Sequence, residues 1–194
     1  MKLPVALSLA SLLALGATQA AHATTVVTST NVPVGICDLC TVSSTLNVGS
    51  HITLTDVNVN LTSLTHSFDA DLLIQLISPT GTTVTLSANR GGSANNFINT
   101  VFDDEASTPV AAGGAPFSGS YRPDGLLSAF DGQDAFGLWT LRVADQAWID
   151  SGSINAWGLS LEGRETGNVP EPASLALVSL ALAGAAVARR RKQA

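Results

Sequence analysis

The stretch Gly137–Leu161 constrains the fold of this chain more than any other. Apolar residues alternate with small or polar ones in W-T-L-R-V at 139–143 and again in W-G-L-S-L at 157–161. All three tryptophans of the chain lie within it, and aromatic side chains bury the most surface per residue. Alternation with a period of two is typical of strands that bury one face, so we predict a β-hairpin here.

The same alternation recurs along the rest of the chain, and no interior segment has a helical period. Leu72–Ile77 is apolar on both faces, which predicts a central strand, and S-P-T-G at 78–81 predicts the turn to a partner strand at 82–87. The apolar residues change parity between Leu54 and Val57, which predicts a β-bulge or bend. About 7–9 short strands without an interior helix predict an all-β fold, a β-sandwich.

The first 23 residues have the three parts of a secretory signal peptide. Lys2 provides the charged start, Val5–Ala17 the apolar run, and Ala21-His22-Ala23 the small-x-small cleavage site. These features predict export and cleavage after Ala23. The alternative is a membrane anchor, for which the apolar run is short.

The C-terminus carries a second sorting element. Three parts follow one another there: the triplet Pro170, Glu171 and Pro172, the apolar run Leu175–Ala188, and the basic tail Arg189, Arg190 and Arg191. A helix over the apolar run spans about 21 Å, short of a hydrocarbon core of about 30 Å, which predicts a short transmembrane helix for temporary anchoring. The basic tail is expected to stay in the cytoplasm.

The order of these three parts resembles the PEP-CTERM sorting signal of Gram-negative bacteria. The resemblance implies recognition by an exosortase, transient anchoring in the inner membrane, and a final place in the cell envelope or outside the cell. An ordinary C-terminal anchor behind a proline-stiffened linker is the alternative.

Charge and length narrow the function classes. Residues 24–169 contain four basic and fourteen acidic residues, a net charge of −10, and no basic stripe, which argues against nucleic-acid binding.

The length of residues 24–169 suits one domain. We divide the chain into a signal peptide (1–23), an N-terminal strand with a C-x-x-C loop (24–50), a β-sandwich (51–162), a linker (163–169) and the sorting signal (170–194).

The two cysteines, Cys37 and Cys40, form a C-x-x-C motif. In an exported protein this spacing favours a local disulfide over a redox motif. A single pair also has too few ligands for a zinc site. A lipid, metal or intermolecular role stays open.

Two acidic groups are candidate calcium ligands. Asp69 and Asp71 share one face if the segment is extended, and Asp103, Asp104 and Glu105 place three carboxylates together, which repel one another unless a cation neutralises them. Calcium takes about six to eight oxygen ligands. We predict at least one calcium site; the alternative is aspartates that bond to their own backbone in turns.

No catalytic constellation is evident. A serine triad needs a histidine that is oriented by a carboxylate beside a nucleophile, and His51 and His66 lie at strand entrances without such a context. Glycosidase carboxylates face each other across a cleft, whereas adjacent residues such as Asp103 and Asp104 point to opposite faces of a strand. We expect no enzyme activity.

Five motifs follow one another in an order that resembles one family. They are H-S-F-D-A-D-L-L-I-Q-L-I-S-P-T-G-T from His66, F-D-D-E-A from Phe102, P-F-S-G-S-Y-R-P from Pro116, G-L-W-T-L-R-V-A-D from Gly137 and D-S-G-S-I-N-A-W-G-L-S-L from Asp150. Together, over about residues 51–161, they resemble the P domain (P/Homo B domain) that follows the catalytic domain in kexin- and furin-like proprotein convertases. The resemblance implies a jelly-roll-like β-sandwich.

In convertases the P domain stabilises the catalytic domain, whereas here we expect it to stand alone between the two sorting signals. We therefore expect a non-catalytic module, sorted to the envelope or extracellular matrix, that acts in surface recognition or adhesion on a polysaccharide or secreted protein. The alternative is an accessory domain that docks in trans on an exported subtilisin-like serine protease and stabilises it. Trp139 and Trp157 are expected in the core, and Trp148 is the tryptophan expected to face a partner.

Overall fold

A computed structural model describes residues 22–166 and residue 182 of the chain. The ten strands are β1 (His22–Thr28), β2 (Val34–Ile36), β3 (Thr41–Val48), β4 (Ile52–His66), β5 (Leu72–Ile77), β6 (Thr83–Ala88), β7 (Phe97–Phe102), β8 (Phe117–Tyr121), β9 (Gly137–Asp145) and β10 (Gly152–Glu165). Three single-turn 3₁₀ helices connect them: Asp69–Asp71, Val110–Ala112 and Leu127–Phe130.

The predicted signal peptide up to residue 21 and the predicted sorting helix, apart from residue 182, lie outside the described residues. Within the described part of the chain, no helix has the length and apolar character that a bilayer crossing requires.

The strands form two sheets that pack face to face. One sheet has the order β1-β10-β4-β7-β8, with β2 also paired to β10, and the other has the order β3-β9-β5-β6. All strand pairs are antiparallel except β7 with β8. Alternate residues of each strand point into one continuous apolar core between the sheets. The prediction of an all-β sandwich is confirmed, with ten strands instead of about 7–9.

The predicted hairpin in Gly137–Leu161 is wrong. β9 lies between β3 and β5, whereas β10 lies between β1 and β4 in the opposite sheet. The link 146–151 therefore crosses from one sheet to the other, and Trp139 and Trp157 enter the core from opposite sides. Alternation indicates which face of a strand is buried but not which neighbour it pairs with, and so it fits both arrangements.

Three local predictions are confirmed. β5 lies between β9 and β6, as expected for an interior strand, although its outward face is half-buried. In the β5–β6 turn the Gly81 N–H donates to Ser78 O over 2.9 Å, and Gly81 has a φ of 89° that favours glycine. In β4, Leu54 and Asp56 pair with consecutive residues of β10, so Thr55 is the extra residue of a β-bulge.

Hydrogen bonds satisfy the indole groups of both buried tryptophans. Trp157 Nε1 donates to Ser44 Oγ over 2.7 Å and thereby joins β10 to β3 in the other sheet. Trp139 Nε1 donates to Ala135 O over 2.8 Å. Because an unpaired buried N–H is costly, the Trp157 bond favours the observed position of one sheet on the other, whereas the Trp139 bond is local.

The two ends of the sandwich are named by the strands that start and stop at them. We call the end at which β9 stops and β10 starts the apical end, and the end at which β4 starts and β10 stops the basal end. His22 pairs with Arg164 at the basal end, and there the Thr166 N–H donates to His51 O over 2.9 Å. The described chain thus both enters and leaves the domain at the basal end.

Candidate functional site

Three large apolar side chains are exposed on two neighbouring segments of the apical end. Leu39 in the C-x-x-C loop is 43% exposed, and Trp148 and Ile149 in the link are 73% and 92% exposed. The Ile149 N–H donates to Asp38 Oδ1 over 3.0 Å, so the loop and the link are in contact. We call Leu39, Trp148 and Ile149 the apical patch.

The backbone of the apical patch is strained at two positions. Leu39 has a φ of 50° and Ile149 a φ of 88°. Residues other than glycine disfavour positive φ, and β-branched residues disfavour it most. Each such residue costs about 1–3 kcal/mol and persists only where its surroundings enforce it.

The surroundings of the apical patch hold it in place. A disulfide joins Cys37 to Cys40, with their Cα atoms 5.5 Å apart, and closes the loop that carries Leu39. The link is bonded to the sandwich near both of its ends. These bonds run from Gln146 N–H to Asp71 O (2.9 Å), from Ala147 N–H to Asp145 Oδ1 (3.1 Å) and from Ser67 Oγ to Asp150 Oδ1 (2.7 Å).

A buried histidine–aspartate pair lies beneath the link. His66 Nε2 is 3.2 Å from Asp145 Oδ2, and neither side chain is exposed to solvent. The other ring nitrogen, Nδ1, lies 2.9 Å from Phe68 O. The pair therefore connects the end of β4 to the end of β9, below the apical patch.

A second histidine–aspartate pair lies at the basal end. His51 Nδ1 is 2.6 Å from Asp134 Oδ2, both side chains are half-exposed, and the imidazole stacks on Phe136 with centroids 4.3 Å apart. The hydrogen bond from His51 lowers the pKa of Asp134. Neither pair is predicted from the sequence, because the partners are 79 and 83 positions apart and share no motif.

The prediction that Asp69 and Asp71 share one face of an extended segment is wrong. They form a 3₁₀ turn, in which residues two positions apart point in different directions. Asp69 is fully buried and its Oδ1 accepts the Asn96 N–H over 2.9 Å, while its Oδ2 has no hydrogen-bond partner among the described residues. Burial raises the pKa of Asp69 to about 6.

Asp71 lies nearer the surface, beside other carboxylates of the apical end. Partial burial raises its pKa, and the negative charges of Asp145 and Asp150 raise it further. Asp71 thus adds to a local excess of negative charge next to the link.

The second acidic group makes bonds to the backbone. Asp103 Oδ1 accepts the Glu105 N–H over 2.8 Å, and the two oxygens of Asp104 accept the N–H groups of Leu127 and Ser128 over 2.9 Å each. A hydrogen bond to Asp103 raises the pKa of Glu105. Asp103 therefore bonds to its own turn, as in the alternative to calcium binding, whereas Asp104 bonds to the start of the distant 3₁₀ turn Leu127–Phe130.

The structure does not bring the two acidic groups together. Asp71 faces Asp145 and Asp150 at the apical end, whereas Asp103 lies after β7 and faces Asp56 of β4. Among residues 22–166, no group of three or more His, Cys, Asp or Glu side chains is arranged to hold a metal ion. Calcium binding stays a prediction.

The fold and its apical patch define a two-sheet β-sandwich that presents exposed apolar loops at the end opposite residues 22 and 166. Residues 54–161 match the family described as the proprotein convertase P-domain, and the chain belongs to that family. Residues 168–192 match the PEP-CTERM protein-sorting motif. This motif indicates export from a Gram-negative bacterium, with transient membrane anchoring and processing by an exosortase.

Two known proteins are similar to the chain. Leupeptin-inactivating enzyme 1 of Streptomyces exfoliatus is 32% identical over 106 residues, which cover 55% of this chain and 18% of that protein. A serine protease of Aeromonas sobria, solved alone and with a chaperone, matches at 21% and 22% identity with a TM-score of 0.47 in both cases. Each match covers 73% of this chain and 26% of the protease, so the chain spans about a quarter or less of its relatives.

Proposed function

We propose that this protein is a non-catalytic accessory module that docks in trans on an exported protease of the subtilisin class and stabilises it. The observation that carries the proposal is the match of residues 54–161 to the proprotein convertase P-domain family. In leupeptin-inactivating enzyme 1 the similar region is 18% of the protein, which supports a role beside a larger catalytic unit.

The surroundings of the two histidines support a non-catalytic role. In the described part of the chain, neither imidazole is hydrogen-bonded to a serine, threonine or cysteine side chain. The His66–Asp145 pair is also closed to solvent, out of reach of a substrate. A triad needs a nucleophile within hydrogen-bond distance of the base, so these pairs are better explained as structural contacts.

Thermal stability of the partner tests the proposal. The probes are the catalytic domains of exported subtilisin-class proteases from the genome of origin, with the catalytic serine replaced. A ligand at one hundred times its Kd stabilises its target by about 2.7 kcal/mol, so the exported protein is expected to raise the melting temperature of at least one domain by several degrees. An unrelated acidic protein of similar size serves as the control. If the melting temperature stays the same for every domain of the panel, the proposal is contradicted.

A second candidate function is recognition of an extracellular polysaccharide or protein in surface adhesion. The match of residues 168–192 to the PEP-CTERM sorting motif favours it, because that motif indicates export with transient membrane anchoring. Co-sedimentation of the exported protein with matrix polysaccharide from the same culture is the expected result. Loss of this binding in Trp148→Ala, and its retention in Leu138→Ala, would support a specific contact; absence of binding by the wild type excludes the polysaccharide.

A further inference from the structure

We propose that the apical patch is the surface through which this domain docks, and that its partner is a polypeptide with an apolar pocket rimmed by lysine or arginine. The inference rests on the proposed function, because it names the docking surface of that module. Four features of the apical end support it: exposure, a fixed backbone, negative charge and position.

The exposure of the apical patch has no explanation within the domain. Ile149 is the most exposed large apolar side chain among the described residues, at 92%, and it follows Trp148, which is 73% exposed. Both tryptophans of the core, by contrast, are almost fully buried. Tryptophan is enriched among the residues that dominate binding energy at protein interfaces, where it fills a pocket of the partner.

The strained backbone at Ile149 supports a role for its side chain in contact with a partner. A φ of 88° suits glycine or asparagine, yet the position holds a β-branched residue whose side chain contacts little of its own domain. The Asp38 hydrogen bond and the neighbouring disulfide loop keep this conformation in place. An apolar anchor fixed before binding loses less conformational freedom when it docks.

Negative charge surrounds the apical patch and indicates the chemistry of the partner. Asp38 bonds to the link, Asp150 lies within it, and Asp71 accepts a link N–H through its backbone. Arg90 lies next to Asn89, whose side chain contacts the link. The Arg90 guanidinium is paired with Asp124 over 2.7 Å, so it does not balance the charge of these carboxylates. The unbalanced carboxylates favour a basic partner surface and disfavour an anionic lipid bilayer or a second copy of the chain.

The position of the apical patch leaves it open to a partner. β10 has 14 residues and runs from the apical end to the basal end, a distance of about 45 Å at about 3.3 Å per residue. The chain continues toward the sorting motif at 168–192 from the basal end. A domain tethered through that motif therefore carries the apical patch on the side away from its tether.

Binding measurements with two matched variants test the docking surface. The exported protein, as its host processes it, is titrated against the inactivated catalytic domains described above. Trp148→Ala is expected to weaken binding by about 30-fold or more, as truncation of a central interface residue does. Leu138→Ala removes a comparably exposed apolar side chain near the basal end and is expected to change the Kd by less than about twofold. Both side chains are exposed, so both variants are expected to fold. Unchanged melting temperatures would establish this.

A photo-crosslinker separates failure of the docking surface from failure of the proposed function. p-Benzoylphenylalanine is placed at position 148 or, as the control, at position 138, and crosslinks are formed in the producing cells. Equal binding by the wild type and Trp148→Ala overturns the docking surface and leaves the proposed function standing. If no catalytic domain binds the wild type, the proposed function fails. The docking surface then survives only if position 148 alone crosslinks to an identified polypeptide beside a lysine or arginine. Three results overturn the docking surface: absence of such crosslinks, binding to lipid vesicles that depends on Trp148, and a dimer that depends on Trp148.

Discussion

The Ile149 N–H donates a hydrogen bond to Asp38 Oδ1 over 3.0 Å and joins two exposed segments that lie 111 positions apart in the chain. One segment is closed by the Cys37–Cys40 disulfide, and the other crosses from one sheet to the other. Each contributes an exposed apolar side chain with a positive φ. The apical patch therefore depends on a contact that neither segment makes alone.

Removal of the Asp38 carboxylate should loosen the link without unfolding the domain. In Asp38→Ala the Ile149 N–H loses its acceptor, so its hydrogen exchange is expected to accelerate by about tenfold or more. The free energy of unfolding should fall by no more than about 1 kcal/mol, because the bond is exposed to solvent. Asp38→Asn keeps an acceptor oxygen and is the control. Exchange that is as slow in Asp38→Ala as in the wild type would show that other contacts hold the link.

The two histidine–aspartate pairs should differ in their effect on stability. Asp145→Ala leaves the buried His66 ring and the Ala147 N–H without their acceptor, and urea unfolding is expected to show a loss of about 2–4 kcal/mol. His51→Ala breaks the half-exposed pair but leaves the two backbone bonds of Asp134 in place, so the loss should be about 1 kcal/mol or less. Equal losses in the two variants would contradict the structural role of the buried pair.

The burial of Asp69 predicts a pH dependence of stability. Its pKa is raised from 3.8 to about 6, so the folded state holds this proton more tightly than the unfolded chain. The stability that Asp69 contributes is therefore fully present below about pH 4 and is lost as the pH rises through about 6, a change on the order of 3 kcal/mol.

Comparison with Asp69→Asn isolates this effect. The variant does not titrate, and its amide oxygen is able to accept the Asn96 N–H that Oδ1 accepts in the wild type. Relative to the wild type, Asp69→Asn should therefore gain stability between pH 4 and pH 7, as measured by urea unfolding at several pH values. A difference between the two proteins that does not vary with pH would mean that Asp69 titrates as an ordinary exposed carboxyl.

The parts of the fold that local sequence determines could be predicted. An apolar run identifies β5, alternating residues identify the buried faces of β9 and β10, the S-P-T-G turn identifies the β5–β6 connection, and the parity change in β4 marks the bulge at Thr55. Each of these features depends on residues that are close in the chain. Steric and hydrophobic preferences act over the same short range.

The parts that the sequence left open depend on distant residues. Nothing local distinguishes a β9–β10 hairpin from two strands in facing sheets, because both arrangements bury the same faces. The bonds of Asp145 to His66 and of Asp38 to Ile149 likewise join positions far apart. Asp69 and Asp71 were expected on one face because an extended backbone was assumed, whereas their segment forms a 3₁₀ turn.

Calcium stabilisation stays a proposal for the acidic groups that contain Asp71 and Asp103. If calcium binds the folded state alone, it should raise the melting temperature over that in EGTA by several degrees, since saturation at one hundred times the Kd adds about 2.7 kcal/mol. Asp71→Asn and Asp103→Asn each remove one carboxylate, and loss of the response in one of them locates the ion. A melting temperature that is equal in calcium and EGTA removes the proposal.

Amide hydrogen exchange of this protein, alone and mixed with an inactivated catalytic domain whose melting temperature it raises, tests the central claim most directly. The claim is that the module docks on an exported protease through its apical end. We expect slower exchange in the complex at residues 37–40 and 146–151, and unchanged exchange near His51 and Phe136 at the basal end. Protection confined to the basal end, or no protection anywhere in the chain, would contradict it.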